Sequence, residues 1–457
     1  MQDLTKGPIA GHIARMATPI AAGMIFQTMY YLVDLYFVAR LGGTAIAGVS
    51  AAGNVQFIIM ALTQVLGVGT MVLISHASGR KDRDDANLIY NQSLTMAAVC
   101  GAFTLFAGFV LAPWYLGTIS ADAATREVGL TYLRWFTPGM ALQFALISMG
   151  AALRGTGIAK PTMVVQVLTV VLNMILAPVL IAGMGTGRPM GVAGAGLASS
   201  IAVTVGVVMM FVYFERLEKY VGFDASLFKP RLDAWKRVLK IGLPAGGEFA
   251  LMFLYMAVTY WAIRAFGPEA QAGFGVGGRV MQAVFLPAMA VAFAAAPVAG
   301  QNYGAGFHDR TRKTFGTAAL IGTSIMLVLT LVIQLEAEWM VSFFTRDPAV
   351  VSVATAFLHI ISFNFVASGV IFTCSSMFQA LGNTVPSVVS SGTRLVTFAV
   401  PAIYLSSQPG FQLRQIWLLS VATVALQLVV SLLLVRREFR RRLESTAPDL
   451  APSPAGA

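Results

Sequence analysis

Cysteine is nearly missing from this sequence and charge is scarce. Only two cysteines occur in 457 residues. Cys100 and Cys374 both fall in apolar stretches, so no disulfide framework is available, and each thiol reads as a packed or lipid-facing group. Asp, Glu, Lys and Arg together make up 11% of the chain, against roughly 25% in an average soluble protein. With 57% hydrophobic residues, there are too few polar side chains to cover a soluble surface. That excludes soluble enzymes, nucleic-acid-binding domains and secreted disulfide scaffolds. The four histidines show no metal-ligand spacing, and no Ser/His/Asp or Cys/His grouping suggests catalysis, so neither a metal site nor an enzyme is expected. No GxxxxGK[ST] run marks a nucleotide site. The glycine clusters at 191–196 and 273–278 start or sit within apolar stretches and read as helix-packing surfaces. No short, cleavable leader is seen: the first apolar stretch runs from near Ile13 past Tyr36 and reads as a retained span.

What is present is a succession of long apolar windows. They fall at roughly 13–39, 46–74, 88–115, 126–152, 161–184 and 191–214, then 235–265, 271–299, 311–335, 349–378, 386–407 and 412–435. The expected fold is an all-α polytopic membrane protein with twelve transmembrane helices. Lys and Arg sort by loop. Of the 31 basic residues, 22 lie in one set of loops and the tail, six lie in the alternate loops, and Arg134, Arg279 and Arg394 fall inside windows. The positive-inside rule then puts both termini in the cytoplasm. The basic charge is a topology device, and no nucleic-acid partner is expected.

The chain repeats at one offset of 225 residues. Pro19 falls on Pro244, Gly42 on Gly267, Ala45 on Ala270, Gly48 on Gly273 and Gly79 on Gly304. Asp84 falls on Asp309, Trp114 on Trp339, Asp122 on Asp347, Gly157 on Gly382 and Pro161 on Pro386. Six spans per repeat is an even number, so both halves cross the bilayer in the same sense, related by a pseudo-two-fold axis along the membrane normal. The expected organisation is an N-terminal six-helix lobe at 1–214, a charged cytoplasmic linker at 215–234, a C-terminal six-helix lobe at 235–435, and a basic, then disordered tail at 436–457. Two like-oriented lobes suit an alternating-access carrier driven by an ion gradient.

Of 20 acidic residues, only Asp34 and Glu248 fall well inside windows. A carboxylate near the bilayer centre costs on the order of 3 kcal/mol, so it faces the protein interior and is functional by default. Helical spacing puts Gln27, Tyr31 and Asp34 on nearly one face of the first helix, with Tyr30 beside them. Burial disfavours the charged form of a carboxyl, and a proton carrier needs a group that gains and loses its proton near neutral pH. Asp34 is therefore the candidate coupling residue; the alternative is a protonated carboxyl that only joins helices. Its repeat counterpart is Thr259. Glu248, four residues after Pro244, is either a second titrating group or substrate anchor, or a solvated group near the helix end. Arg134 and His359 occupy equivalent repeat positions and read as snorkelling or structural groups. Pro19 removes a backbone hydrogen bond from the first helix and can bend it, either statically or in step with protonation of Asp34.

Several stretches resemble the multidrug and toxic compound extrusion (MATE) family of transporters. They are Tyr31-Leu-Val-Asp34-Leu-Tyr-Phe-Val-Ala-Arg40-Leu-Gly42, Leu153-Arg-Gly-Thr-Gly157 before Pro161, Gly242-Leu-Pro244, and Gly300-Gln-Asn-Tyr-Gly-Ala-Gly306. The resemblance runs from about residue 13 to 435 and implies a twelve-helix antiporter that exports amphipathic, often cationic, small molecules. The chain looks closer to the bacterial DNA-damage-inducible-type branch. That likeness implies ion coupling through Asp34, Asn173 and Ser199, a conformational role for Pro19, and a cavity wall holding Gln27 and Tyr30, with Met24 and Tyr31 as further cavity candidates on the same helix. Ala177 stands where the branch usually has a second aspartate, which makes the proton a better coupling ion than sodium. The acidic pair of the other bacterial branch is missing, its positions matching Met252 and Ser368. No cofactor is implied. The expected protein is a monomer in contact with the lipid bilayer, in the bacterial inner (cytoplasmic) membrane. Sodium-coupled efflux and lipid-linked oligosaccharide flipping by the wider superfamily remain the alternatives.

Overall fold

The computed structural model describes residues 1–120 and 122–444, all helix and connecting turns. The side chain of Tyr31 and the tail beyond 444, where disorder was expected, lie outside the described residues. The first half holds α1 (Ile9–Ala39), α2 (Gly43–Arg80), α3 (Arg83–Val110), the short α4 (Ala112–Ile119), α5 (Ala123–Gly155), α6 (Lys160–Ile181) and α7 (Val192–Arg216). The second holds α8 (Leu232–Ile263), α9 (Pro268–Gly304), α10 (His308–Ser342), α11 (Pro348–Ile361), α12 (Asn364–Ala380), α13 (Val385–Ser406) and α14 (Leu413–Phe439). Among the described residues, eleven helices are long and apolar enough to cross a membrane, and α11 with α12, bent by 60° at their junction, bring the number to twelve when counted as one span.

The 225-residue offset carries through to the backbone. Shifted by it, α5 covers α11 plus α12 end to end, and α6 covers α13. Gly42 and Gly267 share a positive φ (105° and 91°), as do Gly157 and Gly382 (85° and 72°). Lys81, among the described residues the non-glycine residue with positive φ, maps onto Gly306, which has it too. Asp122 and Asp347 each cap the N-terminus of the fourth span of a half, accepting from the amides of Thr125 and Ala349. The Thr125 amide and hydroxyl hold the Asp122 carboxyl below the usual carboxylate range.

Two windows differ from expectation. The third, expected at 88–115, breaks at Leu111, and α4 restarts with Pro113 in its first turn, where a missing N–H is harmless. The equivalent position in α10 is Glu336, whose φ and ψ (−126°, 18°) leave the helical region without any proline. The tenth, expected as one helix over 349–378, is the bent pair α11 and α12. Its junction is held from α10: Gln334 Nε2 donates to the His359 carbonyl and to Ser362 Oγ (2.8 and 2.6 Å), and Thr330 Oγ1 donates to the Ser362 carbonyl at 3.2 Å. Those side chains satisfy groups freed where the helix turns.

Across the pseudo-two-fold, α1 packs on α9 and α8 on α2, while α1 also packs on α6 and α8 on α13 within their own halves. The contact is tightest at the end carrying the basic loops. There α2 is buried almost continuously from Leu66 to Gly79, and α9 from Ala290 to Asn302. Gly79 and Gly304, one repeat apart, permit this approach. A Cβ on Gly79 would run into the Gln301 carbonyl, and one on Gly304 into the His76 carbonyl. His76 Nε2 lies 2.6 Å from the Ala380 carbonyl, and Gln301 Nε2 donates to the Gly155 carbonyl at 3.0 Å. Arg237 on α8 forks onto Asp85 of α3 at 2.7 and 2.8 Å, and Arg80 joins the same carboxylate at 2.9 Å.

The connector between halves is strapped to α3. Gln92 donates to the carbonyls of Leu227 and Lys229 and accepts from the Arg231 amide and the Trp235 indole. Asn91 accepts from the Asp224 amide and donates to the Gly222 carbonyl. Arg83 donates to the carbonyls of Lys219 and Tyr220.

Candidate functional site

The first-half site is assembled from α1, α6 and α7. Tyr30 on α1 donates its hydroxyl hydrogen bond to Ser199 Oγ of α7, tying two of the expected positions together. One helical turn further along α1, Asp34 points an oxygen, Oδ1, into the protein with no hydrogen-bond partner among the described residues. Asn173 on α6 is fully buried, and neither atom of its amide head finds a partner among them. Buried polar atoms in native proteins are normally paired. Three such atoms lie on α1 and α6, two helices packed on each other, and are candidates to hold a proton, a small cation or a polar substrate group.

The other expected residues sit as follows. Met24 is half-buried and Gln27 exposed on α1. Pro19 is buried inside α1, which stays helical through it. Ala177, one turn after Asn173, is fully buried, so no second carboxylate enters the site there. Arg134 and His359 are both exposed, as are Glu336 and Glu338 near the end of α10. Cys100 and Cys374 are both free thiols. Among the described residues, no group of three or more His, Cys, Asp or Glu could hold a metal ion.

Glu248 does not join this constellation; it lies in the second half. Both its carboxylate oxygens accept from Ser375 Oγ of α12, at 3.1 and 2.9 Å, and Ser375 is 3.1 Å from Ser387 Oγ of α13. Two turns along α8, Tyr255 hydrogen-bonds Ser420 Oγ of α14 at 2.8 Å. Tyr255 is the repeat counterpart of Tyr30, so each half pins the same tyrosine to a serine of its own last helix. Reading the residues alone missed Tyr255, Ser375, Ser387 and Ser420. The shared offset of Tyr30 and Tyr255 was the signal that could have found the tyrosine, but the serines become visible only once the helices are packed.

The chain matches the MatE family profile over residues 19–179 and 244–405, two stretches that start one repeat apart. It is 24% identical over 434 residues to the probable multidrug resistance protein YoeA of Bacillus subtilis (strain 168), covering 94% of each chain. It is 24% identical over 381 residues to the multidrug export protein MepA of Staphylococcus aureus (strain N315), covering 82% of this chain and 83% of that one. Among solved structures, it superposes on the outward-facing conformation of a multidrug resistance MATE family transporter of the MOP superfamily with a TM-score of 0.88. The identity there is 25%, over 96% of this chain and 98% of that one.

Proposed function

The chain belongs to the MATE family of membrane transporters, and from that premise we propose that it exports amphipathic small molecules from a bacterial cell in exchange for protons, with Asp34 as the coupling carboxyl. Both B. subtilis YoeA and S. aureus MepA carry multidrug resistance or export in their names, which supports drug efflux as the task. The observation that carries the coupling assignment is Asp34 Oδ1, buried without a partner on α1, one turn from a tyrosine already fixed to α7.

An unpaired buried carboxyl changes its interactions when it takes up a proton, because the charged form is disfavoured away from water. Protonated, Asp34 can donate as well as accept, and Asn173 offers both an acceptor and donors on α6, the helix packed against α1. Repacking of α1 against α6 and α7 is then the event that couples proton uptake to cavity shape. With the basic loops on the cytoplasmic side, the tight seal between α2 and α9 closes the cytoplasmic end, and the conformation is outward-facing.

Ala177 leaves the site one carboxylate short of what a tightly held sodium ion favours, so the proton is the better coupling ion. The flippase alternative gains nothing from extra spans, since the described residues form twelve at most. The test is efflux of a fluorescent cation from proteoliposomes driven by a proton gradient or by a sodium gradient of equal size. Transport under the proton gradient alone is expected; transport that needs sodium would overturn the coupling ion.

A further inference from the structure

Three basic residues lie inside membrane spans, and they differ. Arg134 and Arg279 are exposed. Arg394, in the middle of α13, is only partly accessible, and its Nε is buried with no hydrogen-bond partner. Among the described residues its guanidinium makes no hydrogen bond and no ion pair. It lies instead over the ring of Tyr255, 4.1 Å from the centroid. Tyr255 is held from two sides, its hydroxyl by Ser420 and its ring by Phe398, whose centroid is 4.7 Å away.

Position on the helix excludes a lipid-facing role. The exposed side of α13 carries Val389, Val396, Val400 and Ile403. Arg394 lies about half a turn from that stripe, on the side of the buried Ser387, Ser390 and Phe398. Nine residues from the start of α13, it sits about 14 Å along the helix, near mid-membrane and beyond easy reach of a headgroup. The repeat sharpens the point. The counterpart of Arg394 is Thr169, whose hydroxyl bonds the Gln166 carbonyl in its own helix, just as the counterpart of Asp34 is Thr259. Each half thus has one charged residue near its repeated tyrosine, an acid in the first and a base in the second.

A guanidinium at this depth needs acceptors. A tyrosine face supplies part of the requirement, but no in-plane acceptor. Arginine's planar fork of donors matches a carboxylate or phosphate in two parallel hydrogen bonds. We infer that Arg394, laid over Tyr255, is a binding subsite in the second half for the carboxylate or phosphate group of a substrate. This rests on the efflux reading above, whose substrates it narrows.

The test uses a matched pair of dyes, tetramethylrhodamine with its free carboxylate and its methyl ester, which differ only at that group. Binding is read by fluorescence anisotropy on the purified full chain in detergent without added phospholipid. Arg394→Gln is expected to weaken binding of the free acid about tenfold or more, as befits a lost charged hydrogen-bond pair. Ester binding stays within about twofold, which also shows that the variant is folded. Arg394→Lys, which keeps the charge and loses the fork, falls between. Equal weakening of both dyes, or free-acid binding that does not change, overturns the inference, as does a wild type that binds neither. Proton-driven efflux of the ester from vesicles tests the efflux reading separately, and that transport persists in Arg394→Gln if both readings hold.

Discussion

His76 on α2 and Gln301 on α9 occupy the same position of the repeat, and each bonds the carbonyl that ends the fourth span of the opposite half. Ala380 and Gly155, the residues that own those carbonyls, are themselves one repeat apart. A carbonyl only accepts, so the Nε2 of His76 carries the proton and donates as the Gln301 amide does. The sealed end is therefore latched twice by the same geometry, on both sides of the pseudo-two-fold axis.

Removing one latch strands a buried carbonyl, at a cost of about 1–3 kcal/mol. His76→Ala and Gln301→Ala should each loosen the seal, and His76→Gln should preserve it, because glutamine already does this work at 301. The check is alkylation of a cysteine placed at Ala299, a fully buried seal residue, in a chain with Cys100 and Cys374 replaced by serine. Labelling should rise roughly tenfold in either alanine variant, the equivalent of about 1.4 kcal/mol.

Gly79 and Gly304 make a steric prediction at the same place. Gly79→Ala or Gly304→Ala puts a methyl group against a backbone carbonyl of the other half, and backbone cannot move aside as a flexible side chain would. Each should keep the basic end from closing, abolish transport and leave the protein inserted. Spin labels at residues 81 and 306 should report a longer separation than in the parent.

Gln92 holds three groups of the connector and the Trp235 indole of α8 at once. Gln92→Ala removes all four bonds and should lower stability by about 2 kcal/mol or more. Thermal unfolding should shift downward, and limited proteolysis should cut within 217–231 where the parent resists.

Glu248 should show the opposite selectivity to Arg394. Glu248→Gln keeps an oxygen for Ser375 to bond but removes the charge. It should weaken binding of the cationic dye ester about tenfold, as expected for a lost charge-assisted contact, and spare the free acid more. Anisotropy titration of both dyes checks it.

Much of this architecture was legible in the residues because a repeat with no gaps leaves little freedom. Once Gly42 matches Gly267 and Pro161 matches Pro386, the ends of α2, α9, α6 and α13 follow. The bend between α11 and α12 did not follow, and the reason is physical. Pro138, in the first half, invites a break that α5 does not make. The second half has no proline at 363, yet breaks there because Gln334 and Thr330 of α10 receive the loosened backbone. At the site, Asp34 stood out through the scarcity of buried charge. The Tyr30–Ser199 and Tyr255–Ser420 pairs depend on how distant helices pack, and no local spacing encodes them. Arg394 was visible as a base inside a span, but its inward direction and its tyrosine partner were not.

The most direct measurement compares wild type with Asp34→Asn in proteoliposomes loaded with a fluorescent cation, under an imposed proton gradient. Asparagine keeps the shape and cannot exchange a proton. Efflux driven by the gradient should be lost in Asp34→Asn while dye binding to the purified protein persists. Gradient-driven efflux at the wild-type rate in that variant would contradict the assignment of Asp34 as the coupling residue.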